Sequence, residues 1–126
     1  MRAHRTFQLL ALTLALVSAS PLAQSPGKIY DPGNGVSLPV VVTQVRAEYT
    51  AAAMKAKIEG VVVLESVVLE DGTVGEIRIK QSLDSLHGLD LEAVAAMRKW
   101  RFRPGQRDGK PVAVRIYCEM KFSLAK

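Results

Sequence analysis

The most regular alternation of hydrophobic and polar side chains lies near the end of the chain. From Val112 to Leu124 every second residue is apolar, and most of the residues between them are polar. Successive side chains of a β-strand point to opposite faces, so the pattern predicts a long strand with one face in the core and the other in water. Cys118 and Phe122 fall on the face predicted to be buried, where a thiol behaves as a small hydrophobe.

Two further runs predict a β-hairpin in the middle of the chain. The runs are Val61 to Leu69 and Val74 to Gln81, and the turn between them contains Asp71-Gly72. Asp and Gly both tolerate positive φ, which a tight hairpin turn requires. Gly75 interrupts the alternation of the second run and predicts a bulge there.

A first helix is predicted before this hairpin. Thr50 can cap it by accepting hydrogen bonds from backbone N–H groups, and its apolar residues include Met54 and Ile58. Tyr49 stands just before the cap, where it can pack on Met54 as a hydrophobic staple. Gly60 supplies the stop, because glycine enters the left-handed conformation without steric cost.

A second helix is predicted to begin near Asp90, whose carboxylate can accept the unpaired N–H groups of the first turn. Leu89 and Val94 occupy the two staple positions. Pro104-Gly105 prevents continuation of the helix. Helical spacing places three apolar residues on one stripe of this helix, namely Ala93, Met97 and Trp100.

These elements predict an α+β fold with a small antiparallel sheet and two helices on one of its faces, in the order (β)αββαβ. About three strands are expected, plus an edge strand over Leu38 to Val45, since Pro39 restricts that run to a sheet edge. Residues 24–37 are rich in Pro, Gly, Ser and Asn and predict a flexible lead-in, so the folded domain spans residues 38–126. The predicted core contains Tyr49, Met54, Ile77, Ile79, Val94, Met97, Trp100 and Phe122.

The N-terminal segment has the pattern of a secretory signal peptide over residues 1–23. Two arginines lie between Met1 and Arg5, an apolar run follows from Phe7 to Val17, and small residues come next. Cleavage after Ala19 or after Ala23 fits this pattern. We expect a periplasmic protein, because the apolar run is shorter than the roughly 20 residues of a membrane span. The alternative is an uncleaved anchor in the inner membrane.

Few residues in the remaining chain could carry catalysis. Beyond the predicted signal peptide there is one histidine, His87, in the loop before the second helix, and one cysteine, Cys118. A solvated loop histidine is the preferred interpretation, and a hydrolase built around His87 is the alternative. Metal sites need several His, Cys or carboxylate ligands at regular spacing, and no such spacing occurs. We therefore predict a protein that is not an enzyme, with no catalytic, cofactor-binding or metal-binding residues.

A cluster of basic residues surrounds Trp100 and Phe102, and it consists of Arg98, Lys99, Arg101, Arg103 and Arg107. Cations oppose the partial negative charge at a helix C-terminus, so the preferred interpretation is a charged helix end. Contact with phospholipid at the envelope surface or with an acidic partner is the alternative. Nucleic acid is not expected as a partner, since an exported protein does not normally meet it.

Several short motifs follow one another along the chain, at Gly35 to Pro39, Glu48-Tyr49, Ile58 to Val61, Asp71-Gly72, Leu89-Asp90, Trp100 to Gly105, Asp108 to Val112 and Phe122 to Leu124. Taken in their order and spacing, they resemble the TonB C-terminal domain family. The resemblance extends from Val36 to Leu124 and is strongest for stand-alone envelope members that begin with a GVSxP segment. Two positions depart from the family pattern, because Ala47 and Thr50 stand where proline is common.

The resemblance implies a periplasmic protein-binding module that engages outer-membrane TonB-dependent transporters in the energy-coupled uptake of iron chelates or vitamins. Its partner would be the N-terminal box peptide of a transporter, which adds as a strand to a sheet edge. Arg46 stands where the family's energy transducer has a glutamine implicated in that contact, so the resemblance makes Arg46 a candidate partner contact. No cofactor is implied. The alternative is a structural envelope protein that uses the same edge for self-assembly.

The strand from Val112 to Leu124 is longer than its expected partner from Val61 to Leu69, so part of its edge should remain unpaired. Such an edge can bind a peptide strand or a second copy of the chain, which makes a homodimer an expected alternative. The segment from Leu38 to Val45 could also fold back onto this edge and compete. The predicted partner-binding residues are Val112, Ala113, Val114, Arg115, Ile116, Tyr117, Cys118, Glu119, Met120 and Lys121.

Overall fold

The computed structural model describes residues 27–124, so the predicted signal peptide and its cleavage sites lie outside the described residues. Ten elements follow one another along this part of the chain. They are β1 (Ile29–Tyr30), β2 (Val40–Thr43), α1 (Ala51–Lys55), β3 (Gly60–Val68), β4 (Val74–Gln81), α2 (Leu89–Arg98), β5 (Arg101–Arg103), β6 (Gln106–Arg107), β7 (Lys110–Pro111) and β8 (Ala113–Phe122).

The main sheet has four strands in the order β1, β8, β3, β4. β8 runs antiparallel to β3 without a register shift, from the pair Gly60 and Phe122 to the pair Val68 and Val114. β3 and β4 form the predicted antiparallel hairpin, whereas β1 pairs with β8 in parallel, so the sheet is mixed. The α+β class with two helices is confirmed, and the parallel fourth strand is an addition to the predicted antiparallel sheet.

The turn of the hairpin lies where the sequence predicts, although Gly72 and not Asp71 adopts positive φ. Gly72 has φ of 88° and donates its N–H to the Leu69 carbonyl, while Asp71 accepts from the backbone and hydroxyl of Thr73. These hydrogen bonds from Thr73 lower the pKa of Asp71. The register shifts across Gly75, which confirms the predicted bulge.

The first helix is shorter than predicted. Thr50 caps it by accepting the Ala53 N–H at 3.1 Å, as expected, but α1 ends at Lys55 and Lys57 then adopts φ of 56°. Ala53 is the residue that α1 buries, and Met54 is 45% exposed. The prediction of Met54 as a core residue is therefore wrong, because a helix this short buries only one narrow face.

The second helix begins close to the predicted position, but it is capped differently and ends earlier than predicted. It begins at Leu89 after Gly88, which has no side chain to cap it, and the Leu89 N–H donates to the Asp84 carboxylate. Asp90 instead accepts hydrogen bonds from the Leu83 and Asp84 N–H groups and the Ser82 hydroxyl, so its carboxylate supports the preceding loop. The helix ends at Arg98, well before Pro104-Gly105, because residues 101–103 form β5.

One continuous core lies between the sheet and α2. Met97, Trp100 and Phe122 are buried in it, while Tyr49, Ile77 and Val94 are partly buried and pack against it. Ile79 is 41% exposed, so its prediction as a core residue is wrong. It lies near the end of the edge strand β4, where residues 78–81 are all exposed.

The N-terminal part of the described chain departs most from the prediction. The segment from Leu38 to Val45 does contain a strand, but β2 pairs with β5 in a separate two-stranded ribbon and not with the main sheet. The sheet edge is supplied by β1, which lies in the predicted lead-in. Val36, also assigned to the lead-in, is only 8% exposed and belongs to the core. The folded domain therefore begins earlier than residue 38.

Candidate protein-binding edge

β8 is paired along nearly all of one side and along little of the other. β3 pairs with one side from Val114 to Phe122, and β1 pairs with the other side only at Ala113 and Val114. Within residues 27–124, no strand pairs with the outer side of β8 from Arg115 to Phe122. We call this stretch the open edge. Its main-chain N–H and C=O groups can pair with an added strand.

The predicted binding residues divide at this boundary. Ala113 and Val114 pair with β1, so their prediction as part of a free edge is wrong. Val112 precedes the strand. Residues 115–121 lie on the open edge. Along it, Tyr117 is 60% exposed, whereas Met120 is buried, as expected for a strand with one wet face.

An ion pair marks the point where β1 ends and the open edge begins. The Arg115 guanidinium donates to the Asp31 carboxylate at 2.7 Å and lies 3.4 Å from a Glu65 carboxylate oxygen. The hydrogen bond to Asp31 raises the pKa of Arg115, and the nearby charges add to this effect. Tyr30 of β1 also packs beneath the cationic groups of Lys28 and Arg107.

A groove of about 1080 Å³ adjoins the far end of the open edge. One wall is the segment of residues 44–49, the other is residues 119–123 of β8 and its extension, and Trp100 also lines the groove. Arg46, the residue singled out by the resemblance, is exposed on the first wall. The structure thus brings Arg46 and the end of the open edge to one site, although they lie far apart in the sequence.

Two aromatic side chains hold the first wall in place. The Trp100 indole N–H donates to the Val45 carbonyl at 2.9 Å, and the Tyr49 hydroxyl donates to the Ile58 carbonyl. The Tyr49 ring also meets Phe122 edge-on, with 5.4 Å between ring centroids. Arg46 therefore projects from a segment anchored on either side, which limits how far the groove can change width.

Hydrogen bonds to Asp84 hold His87, the candidate for catalysis, in the loop before α2. The His87 ring nitrogen Nδ1 lies 3.0 Å from Asp84, which also accepts the backbone N–H groups of Leu86, His87 and Leu89. Burial alone raises the pKa of Asp84, but the hydrogen bonds from His87, Leu89 and Leu86 outweigh it and lower the pKa to about 2. The His87 carbonyl accepts the Thr50 hydroxyl at 2.7 Å, so this loop links the two helix starts.

Sequence reasoning missed Asp84, which is 7% exposed. The signal that could have found it is an Asp that precedes Leu86 and His87 by two and three residues, a spacing at which Asx side chains accept backbone N–H groups. Cys118 is half-buried, and desolvation raises the pKa of its thiol, which disfavours the thiolate.

Between residues 27 and 124, no helix is long and apolar enough to cross a membrane. In the same range, no group of three or more His, Cys, Asp or Glu side chains is arranged to hold a metal ion.

Comparison with known proteins identifies the family. Residues 45–124 match the model of the Gram-negative bacterial TonB protein C-terminal domain. The chain belongs to the TonB C-terminal family. The matched range contains the whole of β8 and every residue that lines the groove except Gln44, so nearly all of the candidate site lies within the TonB domain.

Individual TonB proteins extend the match. The chain is 36% identical over 109 residues to Protein TonB of Vibrio cholerae, covering 84% of this chain and 43% of that protein. It is 40% identical over 63 residues to Protein tonB2 of Pseudomonas aeruginosa, covering 50% of this chain and 23% of that protein. The chain therefore spans less than half the length of these curated relatives.

A solved structure shares the fold. The solution NMR structure of the Pseudomonas aeruginosa TonB CTD aligns with a TM-score of 0.53 at 26% identity. The alignment covers 75% of this chain and 93% of that one, so nearly all of the solved domain has a counterpart here.

Proposed function

We propose that this protein is a periplasmic binding module that takes part in TonB-type energy transduction by engaging outer-membrane transporters. Its partner is an extended segment near the N-terminus of a transporter, which adds as a strand to the open edge of β8. The observation that carries this proposal is the unpaired stretch from Arg115 to Phe122, which ends at the groove beside Arg46. Main-chain hydrogen bonds supply affinity in this mode, and neighbouring side chains supply specificity.

The main sheet offers two outer edges to an added strand, and the described residues favour the one on β8. β4 forms the opposite edge, but its pairing with β3 shifts register twice. Bulges twist an edge and interrupt the row of hydrogen-bonding groups, which is one way in which proteins protect edge strands. β8 keeps nine consecutive pairs with β3, so its open edge presents a regular template.

β1 already shows that this side of β8 accepts a strand. Ile29 and Tyr30 pair in parallel with Ala113 and Val114, directly before the open edge begins. A peptide added beyond Asp31 would continue the same line of main-chain pairing. The exposed side chains of Tyr117, Glu119 and Lys121 would then lie next to the peptide side chains on one face.

The test uses a synthetic peptide with the sequence of a transporter N-terminal box, titrated by calorimetry and NMR. A parallel set of peptides carries a single N-methyl group at successive backbone positions. In an added strand only alternate N–H groups face the sheet, so affinity should fall roughly three- to tenfold at every second position, the loss of about one hydrogen bond. Amide shifts should concentrate on residues 115–122.

The control for the site is a pair of arginine variants. Arg46→Ala should weaken the peptide about threefold, as expected for a rim residue, whereas Arg78→Ala on β4 should leave affinity unchanged. A flat response to N-methylation, or amide shifts confined to β4, would reject strand addition on β8. If the chain dimerises as its concentration rises and the peptide dissociates the dimer, the open edge serves self-assembly.

A further inference from the structure

The ribbon formed by β2 and β5 exposes aliphatic side chains along β2, and Leu38, two residues before β2, is exposed as well. Leu38 is 60% exposed, Val40 52%, Val41 43% and Val42 62%. Val40 lies opposite Arg103, so these two side chains share a face of the ribbon, and the register shifts at Val42 so that Thr43 lies opposite Arg101. Contact with water does not stabilise exposed aliphatic side chains, so a cluster of them is typical of a contact surface.

The strand beside these residues is basic. Arg101 and Arg103 are exposed on β5, and Arg98 and Lys99 are exposed at the adjoining end of α2. The Arg101 guanidinium donates hydrogen bonds to the carbonyls of Trp100 and Arg98. We call the surface formed by Leu38, Val40, Val42, Arg101 and Arg103 the basic-aliphatic ribbon.

Acidic residues are almost absent around this surface. The sequence has no Asp or Glu from Val36 to Ala47 or from Ala93 to Arg107. Asp71, in the turn between β3 and β4, is the acidic side chain whose pKa responds to the charge of Arg101. The surface therefore combines a local excess of positive charge with exposed aliphatic groups.

We propose that the basic-aliphatic ribbon binds the surface of an anionic phospholipid bilayer. Arginines attract the negatively charged head groups, and the aliphatic side chains enter the boundary between head groups and acyl chains. The ribbon and the open edge are separate surfaces on different strands, so bilayer contact and peptide binding do not compete for the same main-chain groups.

A second copy of the chain fits this surface less well. β2 has only four residues and its register shifts between Val41 and Thr43, so its outer side offers a short and irregular template. Two copies would also bring their basic residues together. An anionic bilayer matches both the charge and the aliphatic groups.

The experiment places a polarity-sensitive fluorophore on the ribbon of the full chain. Cys118→Ala removes the native thiol, and Val42→Cys provides a new attachment point. Equimolar phosphatidylcholine and phosphatidylglycerol vesicles should shift the emission to the blue, whereas pure phosphatidylcholine vesicles should not. The shift should largely disappear in about 1 M NaCl, where the Debye length is roughly 3 Å. A local probe separates the ribbon from binding by any other part of the chain.

Matched controls define the outcome. The same fluorophore at Leu86→Cys, an equally apolar residue that is 86% exposed elsewhere, should not respond to vesicles. Arg103→Gln should raise the lipid concentration at half-maximal shift roughly fivefold, the contribution of one basic residue near an anionic surface. Arg78→Gln should leave it unchanged. A blue shift that appears with protein concentration alone would assign the ribbon to self-association, and vesicle binding without a shift at position 42 would place the lipid contact elsewhere.

Discussion

Single side chains in this domain join segments that are distant in sequence. Asp84 collects three backbone N–H groups and the His87 ring, and it thereby shapes the loop that leads into α2. Trp100 performs a similar task on the opposite side of the core, where its indole N–H reaches the Val45 carbonyl. Each contact can be tested by a substitution that preserves side-chain shape.

Asp84→Asn should lower the urea concentration at the unfolding midpoint, because a neutral amide is a weaker acceptor for these hydrogen bonds. The parent should also lose stability in acid. The pKa of Asp84 is lowered from 3.8 to about 2, so its contribution is present above about pH 4 and is lost as the pH falls toward 2. Urea titrations between pH 7 and pH 2 should show a flatter pH dependence for the variant. Identical curves for parent and variant would contradict this role.

Trp100 stabilises the core through its ring and the groove through its N–H. Trp100→Ala should cost about 3–5 kcal/mol of unfolding free energy, as for other large buried aromatic residues. Trp100→Phe keeps an aromatic ring but deletes the hydrogen bond to Val45, at a cost of about 0.5–1.5 kcal/mol. Calorimetry on this second variant should also show weaker peptide binding, since the first wall of the groove is less firmly held. Unchanged peptide affinity would restrict Trp100 to the core.

Elements with strong local signals were predicted well from the sequence. The hairpin turn at Asp71-Gly72, the bulge at Gly75 and the cap at Thr50 all depend on residues close together in the chain, so their chemistry can be read locally. The long strand β8 follows from alternation over many residues. The same alternation does not predict which strand pairs with the outer side of β8.

The edge of the sheet could not be predicted because it depends on distant pairing. Leu38 to Val45 carries the β-branched pattern of an edge strand, yet β2 pairs with β5, a strand hidden in the basic cluster after α2. β1 is only two residues long and lies in a Gly- and Pro-rich segment, so no local pattern marks it. The candidate site was predicted in part. The strand was correct but the reason was wrong, because β8 and β3 have nearly equal length and pair throughout. The edge is open because, among the described residues, no strand pairs with the other side of β8 beyond Val114, and the groove depends on tertiary packing.

The turn between β3 and β4 also packs against β5, and a substitution at Gly72 can test this contact. A Cβ on Gly72 would lie 2.1 Å from the Phe102 carbonyl oxygen, and φ is already positive. Gly72→Ala should therefore cost more than the roughly 1 kcal/mol of left-handed strain alone. Gly109→Ala is the control, because Gly109 has φ of 76° with nothing within 4 Å of the added Cβ. Equal losses of unfolding free energy in the two variants would mean that β5 moves away from the turn without cost.

β1 pairs with β8 directly before the open edge, so weaker attachment of β1 should lengthen the open edge. Asp31→Asn removes the ion pair with Arg115 that fastens β1 to β8. We expect the box peptide to bind up to about threefold more tightly, because β1 then competes less for the start of the edge. Glu76→Gln breaks an exposed ion pair with Arg78 on the opposite edge and should have no effect. A loss of affinity in Asp31→Asn would mean that β1 orders the site and does not obstruct it.

For the molecule as a whole, one core cluster joins the main sheet, α2 and Val36. A domain with a single core should unfold in one cooperative step. The chain has one tryptophan, and it is buried in this core, so Trp100 fluorescence should follow global unfolding. Its urea transition should coincide with that of far-ultraviolet circular dichroism. Two separated transitions would show that the β2 and β5 ribbon, which adjoins Trp100, unfolds as an independent unit.

The position of β8 sets the order in which the molecule can assemble during its synthesis. β8 is the last described strand along the chain, yet it lies between β1 and β3 in the sheet. A ribosome releases the N-terminal elements first, and at that stage β3 and β4 can form a hairpin but β1 has no strand to join. Most of the core stays exposed to water until Phe122 has emerged. We therefore expect the nascent chain to remain accessible to chaperones until β8 has emerged, and then to fold as a unit.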